Sequence, residues 1–478
     1  MTSKIVGVMD QKTSINWRLN VAAPEDMQST AVSPETIIAR IDRLPVTRWH
    51  VIVRIIIGSA TFFDAFSVLS IAYVVPALIG LWHIDAKDIG LLFAGGFLGQ
   101  AIGAITCGWL AERVGRVPML RASVLLFAIM SILCALSHSY DQLLAARVLQ
   151  GFGLGAEVPI AATYIGEISS TKNRGRFFLL YETIYPIGLF AVGLVAAWLV
   201  PNVGWRWLFA FGVVPAFLVF AMQKYCPESP RWLASKGRLA EADAMLRKIE
   251  NYVSSYQQLA PISTLSVAPI PTVRSRVSEL FGPGYRKRTF VVWGLWLLSF
   301  FVTFGIAVWM PSILHTVYHL PLEKSIQLSL IGTLSGLLGC FVMALSVDKI
   351  GRVPLFVFGF SLSGVSLLGL SIYHHVPLDI FVMTTAVAYF GANITSVGLY
   401  LYTAEIYPTR LRAIGTSVGT TWLRLGSIAS PYLVGLVLPL YGISGVLLMF
   451  GVVAVAGAIL ARSGMIETKQ RRLEEISP

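Results

Sequence analysis

Gly115-Arg-Val-Pro118 recurs letter for letter as Gly351-Arg-Val-Pro354, 236 residues later. Both copies sit in a basic turn between two long apolar runs. Both follow an acid, in Glu112-Arg-Val-Gly-Arg116 and in Asp348-Lys-Ile-Gly-Arg352. A second pair keeps nearly the same offset. Glu167 and Arg174 stand seven apart after one apolar run, and Glu405 and Arg412 stand seven apart after another, displaced by 238. Two independent pairs at one spacing imply a half-molecule written twice. In so apolar a chain, a repeat of this size implies two related helical bundles, the organisation of membrane carriers.

The rest of the composition agrees. Of 478 residues, 55% are hydrophobic and 13% charged, whereas soluble domains carry roughly 25% charged residues. About twelve runs approach the roughly 20 residues that cross a hydrocarbon core: 51–80, 89–111, 119–137, 142–167, 177–200, 205–224, 289–314, 326–347, 353–373, 379–404, 413–438 and 443–462. Helices satisfy their own backbone groups in lipid and an open sheet does not. The sequence therefore predicts an all-α membrane protein of twelve transmembrane helices in two pseudo-symmetric six-helix bundles.

The net charge of +12 is a topology signal and not a nucleic-acid patch. Among 37 Lys and Arg, only Lys87, Arg206 and Lys324 fall in loops assigned to the outside, and Arg147 and Arg424 lie within spans. The remainder sit in the tails and in the other loops, so the positive-inside rule places both termini in the cytoplasm, for a chain of the inner membrane. The four cysteines offer neither a disulfide framework nor a metal spacing.

By the repeat, the chain divides into an N-terminal arm (1–50), a first bundle (51–225), a central loop (226–288), a second bundle (289–465) and a tail (466–478). Within the arm, Glu35 to Arg43 reads as solvated, with a short amphipathic helix as the alternative. The central loop has neither the length nor the core of a catalytic domain.

In each repeated turn Gly permits the tight bend, and an acid flanked by bases can pair across neighbouring helix ends. One reading is a solvated turn that anchors topology. The duplication favours a conformational switch bridging the bundles on the inner face, built from Gly108, Glu112, Arg113, Gly115, Arg116, Glu167 and Arg174, and from Asp348, Arg352, Glu405 and Arg412.

These residues resemble the major facilitator superfamily. Gly108-Trp-Leu-Ala-Glu-Arg-Val-Gly-Arg116 looks like its signature between the second and third helices. Arg147 with Gly151, Gly153 and Gly155 looks like the fourth-helix signature, and Pro227-Glu-Ser-Pro-Arg231 like the motif after helix six. Phe63-Asp-Ala-Phe66, Gly155-Ala-Glu-Val-Pro159, Tyr402-Thr-Ala-Glu-Ile-Tyr-Pro-Thr409 and Arg424-Leu-Gly-Ser427 are most similar to bacterial niacin transporters, within the metabolite:proton symporter branch. Sugar porters and organic-anion carriers are related. The resemblance to sugar porters is weaker, because their Gln-Leu pair in helix five and Gln-Gln pair in helix seven are replaced by Tyr181-Glu-Thr-Ile-Tyr185 and by an aromatic run from Trp293 to Trp309 without Gln.

Ionisable residues inside a span are costly and mark function. Arg424 lies 11 residues into its run, roughly 16 Å deep and about half of a 30 Å core. Its guanidinium suits a two-point contact with a carboxylate; the alternative is permanent pairing with a buried acid. Asp64 and Glu157 reach similar depth and are the proton-coupling candidates, or else static hydrogen bonds between helices. Glu182, shallower, is placed with them as an inner-gate acid. Arg147 is expected to snorkel outward and pack, and its three glycines to allow close helix approach.

Aromatic walls complete the expected pocket: Phe66, Tyr181, Tyr185, Trp296, Phe300, Phe304, Tyr389 and Trp422, with Asn393 to meet a ring nitrogen or hydroxyl. The sequence thus predicts a secondary carrier, not an enzyme. It is expected to be monomeric and to need no cofactor, metal or nucleic acid. Its expected cargo is a small aromatic monocarboxylate taken up with protons, with nicotinate implied by the resemblance and hydroxybenzoate-like acids next. Three intramembrane acids to one arginine keep an organic-cation or drug carrier open. A sugar carrier and a membrane ligand sensor are the remaining alternatives.

Overall fold

The computed structural model of the protein describes residues 33–45, 47–168, 183–254, 258–259, 277–373 and 376–469. A short helix α1 (Pro34–Asp42) precedes the first long one, α2 (Arg48–Trp82), which Thr47 and His50 start with a reciprocal cap. Then come α3 (Ala86–Val114), α4 (Arg116–Ala135), α5 (Tyr140–Ile168) and α6 (Ile184–Asn202). The sixth crossing is two pieces, α7 (Trp205–Phe211) and α8 (Ala216–Tyr225), broken just before Pro215, which has no N–H to give the helix.

The central segment holds α9 (Pro230–Ser235) and α10 (Leu239–Ser254). The second half runs through α11 (Arg286–Thr316), α12 (Leu322–Ile350), α13 (Arg352–Ser371), α14 (Leu378–Ile406) and α15 (Thr409–Gly464).

At 56 residues, α15 is far longer than the roughly 20 that a membrane requires. Gly442 interrupts it with φ 64° and ψ −167°, a conformation open to glycine, and leaves one crossing on either side. With the other ten apolar spans, this gives the twelve crossings that the sequence predicts.

Within the first half α3 packs on α5, α4 on α5 and α2 on α6; within the second, α11 packs on α15, α12 on α14 and α13 on α14 and α15. Glycine sets the closest of these approaches. A Cβ at Gly151 would strike the Gly96 carbonyl and one at Gly155 the Gln100 carbonyl, while one at Gly99 would strike the Val148 carbonyl. The glycines of α5 therefore serve helix contact, as expected.

Arg147 beside them does not snorkel. It is 3% exposed and donates to the carbonyls of Ser67 (3.1 Å) and Val68 (3.4 Å) and to Gln150 Oε1 (2.5 Å). Backbone and amide oxygens close at hand, each with a second lone pair to offer, outcompete a reach to water, so Arg147 ties α5 to α2.

The halves meet through α3 with α15, α2 with α11 and α6 with α12. These contacts lie at mid-depth and on the side away from the two Gly-Arg-Val-Pro turns, here termed the far face. There Gly90 meets Pro431 and Tyr432, Gly435 meets Ala86, Trp309 Nε1 donates to Pro431 O at 3.1 Å, and Phe93 abuts Trp309 at 5.7 Å between ring centroids.

The arm is not simply solvated. The alternative helix forms, and α1 buries Ile37 and Ile41. Arg40 pairs with Asp243 (2.5 Å) and Glu250 (2.7 Å), Arg43 with Glu250 (2.6 Å), and Arg231 reaches back to Asp42 (3.0 Å). Two acids about two helical turns apart on α10, Asp243 and Glu250, make a matching surface for the basic end of α1.

Candidate functional site

A cavity lies between the halves at mid-depth. Asp64 and Thr61 of α2, Val158 of α5 and Tyr185 and Leu189 of α6 line it from one side. Phe300, Thr303 and Phe304 of α11, Asn393, Ser396 and Tyr400 of α14, and Leu423 and Arg424 of α15 line it from the other. Its volume of about 80 Å³ is several times the roughly 10–15 Å³ that one water needs.

Ser417, Thr421 and Arg424 fall at i, i+4 and i+7 on one face of α15. The first two are exposed and Arg424 is half-buried. This polar stripe runs from the turn end of α15 up to the level of the cavity.

Arg424 donates from its guanidinium to Gln100 Oε1 on α3. Among the described residues no carboxylate comes within 4.0 Å of it. Its hydrogen-bonded partner is thus a neutral amide from the other half, and its remaining donors are not committed to a protein acid. Asp64, 2% exposed, lies within Coulombic reach of Arg424, and its Oδ2 has no hydrogen-bond partner among the described residues. Tyr185 is within reach of both. Glu157 is set back from the wall: it is fully buried and receives a hydrogen bond from Thr61 Oγ1 at 2.9 Å.

Six expected residues therefore share the cavity: Arg424, Asp64, Asn393, Tyr185, Phe300 and Phe304. Four others stand behind it. Phe66 and Trp422 each sit two positions from a lining residue, a rotation of about 200° on a helix; Phe66 packs on Phe62, Phe63 and Phe211, and Trp422 stacks on Trp293 at 5.3 Å. Trp296 donates to Thr403 Oγ1 at 3.0 Å and stacks under Phe300 at 5.4 Å. Tyr389 lies one turn from Asn393 and takes the hydrogen bond of its amide through its carbonyl, at 2.8 Å. Tyr181, Glu182 and Arg174 lie outside the described residues.

Composition hid three contributors. Gln100 is the one amide in its apolar run, which was a readable signal. Thr303 and Ser396 carried none, since hydroxyls are common in spans.

The repeated turns build two matching clusters. Arg116 pairs with Glu112 (2.7 Å) and Glu167 (3.1 Å), and Arg352 with Asp348 (3.2 Å) and Glu405 (2.6 Å). Each cluster is completed by an acid outside the expected switch set, one of them from the Pro227-Glu-Ser-Pro-Arg231 motif. Glu228 accepts from the Arg116 and Val117 N–H groups at 3.1 and 3.3 Å, and Glu467 accepts from those of Arg352 and Val353 at 3.0 Å each. Gly115 (φ 118°) and Gly351 (φ 109°) are needed twice, for the left-handed backbone and because a Cβ would strike the Glu228 or Glu467 carboxylate.

Both clusters stay within their own half. Among the described residues the expected bridge between bundles is not made, because Arg116 and Arg352 are each spent on acids of their own half. Arg113 lies over the Trp109 ring at 3.7 Å, a Cβ at Gly108 would meet no neighbour within 4 Å, and Arg412 does not pair with Glu405, whose carboxylate is held by Arg352.

Comparison with known proteins now places the chain. The family model described as "Sugar (and other) transporter" matches residues 54–478. The chain belongs to that family, within the major facilitator superfamily. It is a membrane transporter and not an enzyme. It is 30% identical over 448 residues to the niacin transporter NiaP of Acinetobacter baylyi, covering 92% of this chain and 99% of that protein. The gallate transporter of Pseudomonas putida is 26% identical, covering 88% and 92%. The xylose transporter XylE of E. coli, in a partially occluded inward open conformation, superimposes with a TM-score of 0.70 at 19% identity, covering 89% of this chain and all of that one. That likeness speaks for the fold.

Proposed function

We propose that this transporter carries a small aromatic monocarboxylate, nicotinate or a hydroxybenzoate-like acid, into the cell together with a proton. The turn face is cytoplasmic, both termini lie on that side of the inner membrane, and the conformation is inward-facing. The two halves rock about the cavity and expose it to each side in turn.

The observation that carries this reading is the state of Arg424. A guanidinium at mid-depth, in a cavity walled by Phe300, Phe304, Tyr185 and Tyr400, is hydrogen-bonded to a neutral amide and not to an acid. It offers a carboxylate the two-point contact that only Arg provides, and the rings give a flat substrate a stacking surface. Asp64, beside it with an unpartnered oxygen, is the proton carrier of this reading, and Glu157 behind Thr61 is the reserve. Niacin and gallate, in the names of two relatives, are both flat rings with a carboxylate.

An organic cation suits the site less well. Of the intramembrane acids among the described residues, only Asp64 lines the cavity, where Arg424 balances it. A sugar is the second reading, favoured by the family's name and by Asn393, Thr303 and Ser396 on the wall.

Uptake into proteoliposomes of radiolabelled nicotinate, hydroxybenzoates, hexoses, pentoses and a quaternary amine, with and without a protonophore, tests the choice. Protonophore-sensitive accumulation of an aromatic acid alone is expected. Accumulation of a sugar or an amine with no aromatic acid would refute the proposal.

A further inference from the structure

Thr303 of α11 and Ser396 of α14 form a polar wall that has no proton to give to the cavity. Thr303 Oγ1 lies 2.9 Å from the Ser299 carbonyl and 2.9 Å from Ser396 Oγ, and Ser396 Oγ lies 2.8 Å from the Ala392 carbonyl. Behind them, Ser299 Oγ meets Thr395 Oγ1 at 2.8 Å, and Thr395 Oγ1 reaches the Ala392 carbonyl at 2.8 Å. A hydroxyl owns one proton and two lone pairs.

Either the Ser396 proton goes to Thr303 and the Thr303 proton to the Ser299 carbonyl, or the Thr303 proton goes to Ser396 and the Ser396 proton to the Ala392 carbonyl. Ser299 and Thr395 are fully buried and spend theirs on each other and on Ala392. All four protons have acceptors inside the protein, so Thr303 and Ser396 turn lone pairs toward the cavity. Arg424, on the same cavity, has donors and no acceptor. Arg424 offers protons to the cavity, and the Thr303–Ser396 pair seeks them, as does the unpartnered Oδ2 of Asp64 beside Arg424.

We infer that the substrate is an aromatic monocarboxylate bearing a proton donor on the ring, in the simplest case a phenolic hydroxyl, which donates to Thr303 and Ser396 while Arg424 holds the carboxylate. This rests on the aromatic-acid reading above and selects within it. A phenol O–H completes an acceptor pair. A neutral pyridine nitrogen sets lone pair against lone pair, and unsubstituted benzoate leaves the pair facing carbon. Sites whose own polar groups are stranded by the wrong substrate discriminate by about 10⁴ or more. Here the hydroxyls keep their internal bonds whatever binds, so the preference is smaller, about tenfold, the order of one net hydrogen bond.

The test is uptake by the full-length protein in proteoliposomes under an inward proton gradient, comparing benzoate, its three monohydroxy isomers, nicotinate and a pentose. At least one hydroxybenzoate should show a KM about tenfold below those of benzoate and nicotinate. In Thr303→Val/Ser396→Ala that ratio should fall toward one, and Ser396→Thr, which keeps the hydroxyl, should retain it. Equal KM values across the acids, or nicotinate as the best substrate, would overturn the inference in the wild-type protein alone. Uptake of the pentose with none of the acids would instead overturn the carboxylate reading beneath it.

Discussion

Gln100 of α3 and Arg424 of α15 are joined by a hydrogen bond that crosses from one bundle to the other at the depth of the cavity. A neutral acceptor there holds the guanidinium in place without neutralising it, so its charge stays available to a ligand while the halves are in contact.

Replacing that acceptor with an acid should disable transport. In Gln100→Glu the new carboxylate would compete for Arg424 with a charge-assisted bond roughly twice as strong. We expect the KM for the acid substrate to rise at least about tenfold and the melting temperature to rise as the halves are locked. Gln100→Ala should leave affinity within about threefold, because the ligand-facing donors remain. Arg424→Ala should lose uptake altogether, and Arg424→Lys should lose about 10- to 100-fold. Radiolabelled uptake normalised to surface expression checks all four; a Glu variant that transports like the wild type would sink the argument.

Asp64→Asn separates coupling from binding. It keeps the shape beside Arg424 and removes the titrating group, so substrate counterflow between equal concentrations should persist while uphill, pH-driven accumulation disappears. If Asp64→Asn still accumulates substrate against a gradient, the proton moves elsewhere, and Glu157→Gln becomes the variant that must fail.

The twelve crossings and the doubled half were legible because each is a property of the chain's own periodicity: length of apolar run, offset of repeated motif, sign of loop charge. Asp64 and Arg424 were legible because a charge in lipid is expensive wherever it points. Direction was not legible. Phe66 and Trp422 have the same composition signal as Phe300 and Phe304, and only the placement of the helix face separates a wall from its backing. The clusters were half legible. Arg116 and Arg352 announced themselves by repetition. Glu228 and Glu467 reach the turns from 112 and 115 residues away in sequence, a pairing that depends on tertiary closure.

Those two acids should respond to pH with opposite sign. Burial pushes Glu467 up, but four backbone N–H donors, on Arg352, Lys469, Val353 and Thr468, outweigh it and hold its carboxyl below the ordinary 4.5. Its stabilising contribution is therefore complete above pH 4.5 and is lost as pH falls through the lower folded value. For Glu228, burial and the nearby Glu167 prevail over its own backbone bonds and raise it, so its contribution is present below 4.5 and declines as pH climbs through the raised value. Glu467→Gln should cost about 1 kcal/mol at neutral pH, at the low end for a group open to water, and the difference from wild type should shrink toward pH 4. Glu228→Gln should be nearly neutral at pH 7. Melting curves of the purified protein between pH 4 and 8 decide it, and parallel curves for the two variants would contradict the assignment.

The strap formed by α1 should be separable from the transport site. Arg40 has only 9% of its side chain exposed, and Glu250 has 11%. Arg43 still holds Glu250 and Arg247 still holds Asp243 when Arg40 is removed, so the loss is that of charged hydrogen bonds, about 1.5–3 kcal/mol. The cost falls on the docking of α1 against α10 and not on the bilayer-embedded helices, which keep their own contacts. Arg40→Ala is expected to expose the arm to protease and to lower the melting temperature while substrate KM stays within about twofold. The exchange Arg40→Glu with Glu250→Arg should not restore the protection, since the new acid at position 40 would face Asp243 and the new guanidinium at position 250 would face Arg43. Limited proteolysis read by mass spectrometry follows the arm directly. Protection equal to wild type in Arg40→Ala would mean that the apolar side chains Ile37 and Ile41 hold α1 down by themselves.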